Sequence, residues 1–301
     1  MKIIYPQSFT LTYSNIASSS YSEWNSATSY AVGNMTYLDE TKGEYKCLVA
    51  NSNKKPSDHL YDATNNPSGE WSFIGTTNKY RMFDQYLNTQ STHANKIEIQ
   101  LLAVGFQALF LGNLTASSIS IQVIDNNTLE VIETFEKKLT REISSWFDYF
   151  FGDWKDNRKD SFVFIRQTAT RNVSLAITID NGSNTAACGV FLCGNIKEAG
   201  ITKWDLSVGA LDYSTVIVDT SSGSTFLSEG NYAKTLDIDI FVKTALSMDI
   251  YKMLTDARGK PVVFMAGYSD DLSVYGYMQK FETILKSPVE TAITANIIGL
   301  I

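Results

Sequence analysis

Several stretches of the chain alternate between apolar and polar residues, which is the pattern of a strand with one buried face. The alternation runs through residues 9–13, 97–101, 119–123, 173–179 and 236–242. The string Asp180-Asn181-Gly182 predicts a hairpin turn after the fourth stretch. The apolar run from Cys188 to Cys193 predicts a further, buried strand. These patterns together favour a mainly β fold.

One helix is predicted near the C-terminal end. Apolar residues recur there at helical spacing, namely Leu246, Ile250, Met253, Leu254 and Ala257. Thr244 or Ser247 can cap its start, and Gly259 suits the left-handed position just past its end. Strands precede and follow this helix, so we expect an α+β unit.

Length and composition divide the chain into several units. A chain of 301 residues with 12% aromatic residues can build more than one core. We predict a mainly β, multi-domain protein with the following parts: an extended N-terminal arm (1–20), a small aromatic β module (21–77), a jelly-roll-like β-sandwich (78–199) and a C-terminal α+β sandwich with one packed helix (200–301). The arm is too short to fold alone, so it pairs with another domain or with a neighbouring subunit.

Charge and hydropathy argue against nucleic-acid and membrane partners. The net charge is −7, and no basic stripe is present. The longest apolar run, residues 101–111, is interrupted by Gln107 and is too short to cross a bilayer as a helix. Three cysteines without regular spacing, and no secretion signal at the N-terminus, favour assembly in a reducing cytoplasm.

Residues that could carry catalysis or bind a metal do not form a recognisable pattern. His59 and His93 lie in polar, loop-like contexts, and no zinc-binding spacing is present. The chain has no Gly-x-Ser-x-Gly string and no glycine-rich phosphate loop. Asp237 and Asp239 lie on one face of a strand, which predicts a solvated face. We therefore expect no enzymatic activity, no cofactor and no metal.

The small module carries a recognisable order of residues. Trp24, Tyr30, the string Val32-Gly33-Asn34, the string Tyr45-Lys46-Cys47 and Trp71 follow one another at short intervals. This order resembles the small chitin-binding-type carbohydrate module. The resemblance implies glycan binding through Trp24, Tyr30, Tyr45 and Trp71. The alternative is that the same rings fill the core of a module too small to build one otherwise.

A second resemblance covers most of the chain. The string Asn78-Lys79-Tyr80-Arg81-Met82-Phe83-Asp84 and the ending Ile297-Ile298-Gly299-Leu300-Ile301 resemble segments of tailed-bacteriophage structural proteins of the tail and neck. The sandwich is similar to galactose-binding-like jelly rolls, and the C-terminal unit to tail-protein domains. The resemblance implies a virion component of a tail tip, baseplate, collar or neck, assembled in the host bacterial cytoplasm.

Surplus aromatic and apolar residues predict contacts with other subunits. The candidates are Phe9, Leu11, Trp146, Phe147, Tyr149, Phe150, Phe151 and Trp154. The aromatic run from Trp146 to Trp154 could instead cap the sandwich. We expect a structural protein that forms a cyclic homo-oligomer and docks neighbouring virion proteins. The alternative is a receptor-binding or adhesion protein that recognises host-surface glycan through the small module.

Overall fold

The computed structural model describes residues 1–103, 105–139, 159–166, 172–267, 272–285 and 287–301. The predicted fold class is confirmed, because this part of the chain is mainly β with one α-helix near the C-terminus. The elements are β1 (Lys2–Pro6), β2 (Phe9–Ser14), β3 (Ser29–Tyr30), β4 (Met35–Leu38), β5 (Gly43–Cys47), β6 (Asn51–Ser52), β7 (Trp71–Thr76), β8 (Ser91–Ala103), β9 (Ala108–Thr115), β10 (Ser118–Asp125), β11 (Val131–Lys138), β12 (Ser161–Ile165), β13 (Val173–Glu198), β14 (Ile201–Thr202), β15 (Ser207–Asp212), β16 (Thr215–Val218), β17 (Thr225–Ser228), β18 (Tyr232–Lys243), α1 (Ser247–Asp256), β19 (Val262–Met265), β20 (Ser273–Leu285) and β21 (Glu290–Gly299).

The long strand β13 organises the sandwich. Its first half pairs with β8 on one side and β10 on the other, and its second half pairs with β9. The strand β12 extends the second layer by pairing with β9. The predicted alternation is confirmed, since Ile99, Ile121 and Ile177 are buried and face the shared core. Hydrophobic burial between these two layers is what stabilises the unit.

The predicted hairpin turn at residues 180–182 is wrong. The chain does not reverse there, because β13 pairs with β8 in the same antiparallel direction before and after it. Residues 181–184 instead bulge outward opposite Asn95. Gly182 has φ +64°, and the Asn181 amide donates to the Thr185 carbonyl at 2.7 Å. An Asp-Asn-Gly string can adopt the backbone conformation of such a bulge as readily as that of a turn, because its glycine accepts a positive φ in both.

The C-terminal unit packs the predicted helix on its sheet. The strands run in the order β19, β20, β21, β18, with β14 and β15 at the edge. Ile250 and Leu254 of α1 are buried against Ile238, Phe264 and Ile293. Gly259 has φ +70°, as its predicted position past the helix end requires. The helix therefore covers one face of this sheet.

The first strand of the N-terminal arm lies inside the molecule. The strand β1 pairs with β13 on one side and β19 on the other, and so joins the two larger units into one sheet. Ile3 and Ile4 are both fully buried, in two different clusters on opposite faces. The strand β2 pairs with β8. The arm was expected to pair either with another domain or with a neighbouring subunit. The structure shows that it pairs with other domains of the same chain.

The small module has its own sheets and its own core. The strands β4, β5 and β7 form one sheet, and β3 pairs with β6. Its core consists of Tyr30, Leu38, Tyr45, Cys47 and Trp71. A separate contact ties the module to its neighbours, since the buried Glu44 carboxylate accepts from the Ser19 hydroxyl at 2.7 Å and from the Arg81 guanidinium at 3.3 Å.

Candidate assembly surface

A two-stranded hairpin projects from the edge of the C-terminal unit. We call residues 213–231 the hairpin extension; it consists of β16, β17 and their flanking turns. The edge strands β15 and β18 lead into and out of it. Every residue from 207 to 231 is exposed apart from Ser214, which is half-buried. An isolated two-stranded hairpin is marginally stable in water, so this segment lacks the usual support of a core.

Both faces of the hairpin extension carry large apolar side chains. Ile217 lies opposite Phe226, and Val216 lies opposite Leu227. Because directly opposed residues in an antiparallel pair share a face, these two pairs occupy different faces. Phe226 is 62% exposed and Leu227 is 77% exposed. Neither face therefore packs against the body of the molecule.

Hydrogen bonds fix the hairpin extension at its tip and its base. At the tip, the Asp219 carboxylate accepts from the Ser221 hydroxyl and the Ser222 hydroxyl, each at 2.7 Å. These bonds lower the pKa of Asp219 to about 2. At the base, the Gly230 amide donates to the Ser214 hydroxyl at 3.0 Å. The extension is therefore a defined hairpin and not an irregular loop.

The exposed apolar surface continues onto the adjacent edge of the sheet. Trp204 is 82% exposed, and Val208, Leu211 and Tyr213 are also exposed. All six residues of β15 are exposed. Tryptophan and tyrosine are enriched where proteins bind one another. Together with the hairpin extension, these residues form what we call the assembly surface.

Phe9 and Leu11, two of the residues predicted from sequence as a subunit interface, do not contribute to this surface. The Phe9 ring lies 5.3 Å from the Phe83 ring and 5.4 Å from the Phe191 ring, and Leu11 packs against the same core. Their described contacts are therefore within the chain. The six aromatic candidates between Trp146 and Trp154 lie outside the described residues.

The four rings predicted to bind glycan are mainly packed inside the small module. Tyr30, Tyr45 and Trp71 are buried in its core, and Trp24 is half-buried against it. The Tyr30 and Trp71 rings meet edge to face at 5.1 Å. A buried ring offers no face on which a sugar could stack, so these rings fill the core in this structure. The exposed tyrosine and phenylalanine rings of the module are Tyr21, Tyr61 and Phe73, which the sequence pattern did not single out.

The other candidate groups are the cysteines and the paired aspartates. Within the described residues, no group of three or more His, Cys, Asp or Glu side chains could hold a metal ion. Cys47, Cys188 and Cys193 are free and buried. Burial raises the pKa of the Cys193 thiol to about 12, so this cysteine is a poor nucleophile at neutral pH. Asp239 accepts from the Thr294 hydroxyl on an exposed strand face, as predicted.

Comparison with known proteins does not identify a family for this chain. No model of a known protein family matches the chain, and no curated protein matches it. No helix in the described ranges is both long and apolar enough to cross a membrane.

Sequence reasoning missed the hairpin extension as an assembly surface. The sequence pattern did not single out this segment as an interface, because short apolar runs normally indicate burial. One signal was available: the apolar runs at 216–218 and 226–227 are very short and flank a polar turn directly.

Proposed function

We propose that this chain is a non-enzymatic structural subunit of a tailed-bacteriophage particle, in a tail tip, baseplate, collar or neck. In this role it assembles with copies of itself into a ring and docks neighbouring virion proteins. The observation that supports the proposal is the hairpin extension, whose two apolar faces are both exposed. The resemblance of the strings at 78–84 and 297–301 to phage structural proteins supports the virion part.

The size of the assembly surface supports a stable contact. A fully exposed aromatic side chain offers roughly 150–250 Å², and Trp204, Tyr213 and Phe226 are each more than half exposed. With the aliphatic side chains beside them, the surface reaches several hundred Å². A stable interface buries about 800 Å² per partner, and soluble monomers rarely expose larger apolar patches than a few hundred Å². The surface is therefore of the size that a partner covers.

A ring follows if the hairpin extension contacts a different surface on the next copy. Such head-to-tail contacts generate closed rings when the rotation between copies closes. The extension also carries only acidic charges, at Asp219 and Glu229, and Asp212 directly precedes it. Pairing two extensions face to face would bring like charges together, which favours the head-to-tail arrangement.

The self-association is tested by sedimentation velocity over a range of protein concentrations. We expect the unmodified chain to form oligomers and the double variant Phe226→Ser/Leu227→Ser to sediment as a monomer. Leu129→Ser is the matched control, because Leu129 is 78% exposed on a turn far along the chain and Leu227 is 77% exposed. A monomeric unmodified chain, or an unchanged double variant, would contradict the proposal.

The location is tested separately on particles. An antibody against the chain should label purified virions at the tail or neck in negative-stain images. If mature virions lack the chain, the structural role in the particle is wrong even where self-association is observed.

A further inference from the structure

A cleft lies where the sandwich and the C-terminal unit diverge. Its volume is about 190 Å³. The sandwich contributes the strand β9 and the start of β12, and the C-terminal unit contributes the starts of β18 and β20 and the end of β21. Ligand sites are found preferentially at such junctions between units.

The inner end of the cleft is aromatic. The Phe110 and Tyr275 rings stack there with their centroids 6.1 Å apart and an angle of 16° between the ring planes. Gly112 lies beside them, and a Cβ at this position would come within 2.8 Å of the Phe110 ring and 3.2 Å of the Leu87 side chain. A side chain at Gly112 would therefore displace the wall, and the glycine keeps this end of the cleft open.

The rim of the cleft is polar and close to neutral. The Asp160 carboxylate pairs with the Lys234 ammonium at 3.5 Å, so their charges offset each other. Asn88 and Asn231 also line the cleft, and neither side-chain amide has a hydrogen-bond partner in the part of the chain that the structure describes. Each amide offers both donors and an acceptor. Tyr232, 58% exposed, adds an aromatic side chain at the same rim.

We propose that this cleft binds one neutral sugar ring. The paired charges do not favour an anion such as phosphate, whereas amide groups and a carboxylate match the donors and acceptors of neighbouring sugar hydroxyls. The exposed Tyr232 ring at the rim suits the apolar face of a pyranose ring, whereas the buried Phe110 and Tyr275 rings only shape the wall. The volume equals that of roughly six water molecules at about 30 Å³ each, which is room for a single ring. The site is distinct from the small module, and its rim includes Asn231, the last residue of the hairpin extension.

The test is saturation-transfer NMR on the full chain with D-glucose, D-galactose and N-acetyl-D-glucosamine as probes. We expect at least one probe to bind with millimolar affinity. Tyr232→Ala and Asp160→Asn should each weaken that binding at least tenfold. Asn231→Ala provides a further variant that removes an exposed amide from the rim. The matched control is Tyr13→Ala, since Tyr13 is 47% exposed on a different edge of the molecule.

Two outcomes would overturn the proposal. The first is that none of the probes binds, or that binding is unchanged in both Tyr232→Ala and Asn231→Ala. The second is that binding is lost in Phe73→Ala and kept in the cleft variants, because this would place the sugar on the small module. Circular dichroism of each variant shows whether a loss of binding comes from a loss of fold.

Discussion

The contact between Glu44 and Arg81 ties the small module to the sandwich, and the variant Glu44→Gln tests it. The carboxylate accepts from Ser19 through one oxygen and from Arg81 through the other. A glutamine has only one acceptor oxygen, so its NH₂ group would face one of these two donors. Arg81 also donates to the Thr76 carbonyl at 3.0 Å, which holds the guanidinium in place. The substitution therefore removes the negative charge that faces Arg81, and the Ser19 hydroxyl must accept a hydrogen bond where it now donates one.

The expected loss of stability follows from how deeply the Glu44 and Arg81 side chains are buried. Breaking a fully buried ion pair costs about 3–5 kcal/mol, and a hydrogen bond to a charged group contributes about 1.5–3 kcal/mol. The Glu44 side chain is 7% exposed, but the Arg81 side chain is 35% exposed, so solvent screens part of the interaction. We therefore expect Glu44→Gln to lower the free energy of unfolding of the module by about 1.5–2 kcal/mol.

Hydrogen exchange measured by mass spectrometry reports this change locally. Exchange in peptides that cover β4, β5 and β7 should become roughly tenfold faster or more, while peptides from β20 and β21 should be unaffected. Glu198→Gln is the control, because Lys2 and Glu198 form an exposed pair at 3.6 Å that contributes at most about 1 kcal/mol. A double-mutant cycle with Arg81→Met should give a coupling of about 1 kcal/mol or more. If the two substitutions are additive, or if Glu198→Gln has the same effect, the reasoning is refuted.

Three further predictions concern single side chains. Trp71→Ala should lower the free energy of unfolding of the module by about 3–5 kcal/mol, measured in urea. The reason is that the ring is fully buried and its Nε1 donates to the Lys54 carbonyl at 2.9 Å. A decrease below about 1 kcal/mol would contradict this prediction. The hydrogen bonds from Ser221 and Ser222 give Asp219 a pKa of about 2 in the folded state, against 3.8 without them. The stability that the Asp219 carboxylate adds to the hairpin tip is therefore complete above pH 3.8 and is lost as the pH falls through about 2. Amide exchange of Ser221 should show this pH dependence, and Asp219→Asn should abolish it. Cys188 and Cys193 should resist iodoacetamide at neutral pH until the protein is unfolded, because both thiols are buried with raised pKa values; rapid labelling of the native protein would show that the core opens.

The regular parts of the fold were predictable from local pattern. Strict alternation at 97–101 and 173–179 indicated strands with one buried face, and the structure has β8 and β13 there. The helix was also predictable from its apolar spacing and from Gly259. The predicted cap by Thr244 or Ser247 is wrong, because Leu246 holds the N-cap position without a side-chain hydrogen bond and the Ser247 hydroxyl donates to the Thr244 carbonyl. In these segments the local preference and the tertiary environment favour the same conformation.

The remaining features depend on partners that are distant in sequence. Nothing in the string Lys2-Ile3-Ile4-Tyr5-Pro6 indicates that it lies between β13 and β19, which are almost 200 and 260 residues away. The bulge at 181–184 was predicted as a turn because the same residues suit both backbones. The exposure of the hairpin extension could not be predicted either. An apolar sequence indicates that a segment prefers burial, but it does not indicate which surface buries it.

The position of β1 bears on how the chain could work in an assembly. Because β1 lies between β13 and β19, the sandwich and the C-terminal unit share one continuous hydrogen-bonded sheet. A force applied at the hairpin extension passes through β18 and β21 into that sheet. The hydrogen bonds of Asp219 and Ser214 define the tip and the base of the extension, but an isolated hairpin of two strands is only marginally stable in water. Burial of its two apolar faces against another subunit would supply the core that the extension lacks. A loop that recognises variable ligands would keep a polar surface, whereas this hairpin is apolar on both faces, which supports the proposed burial between subunits.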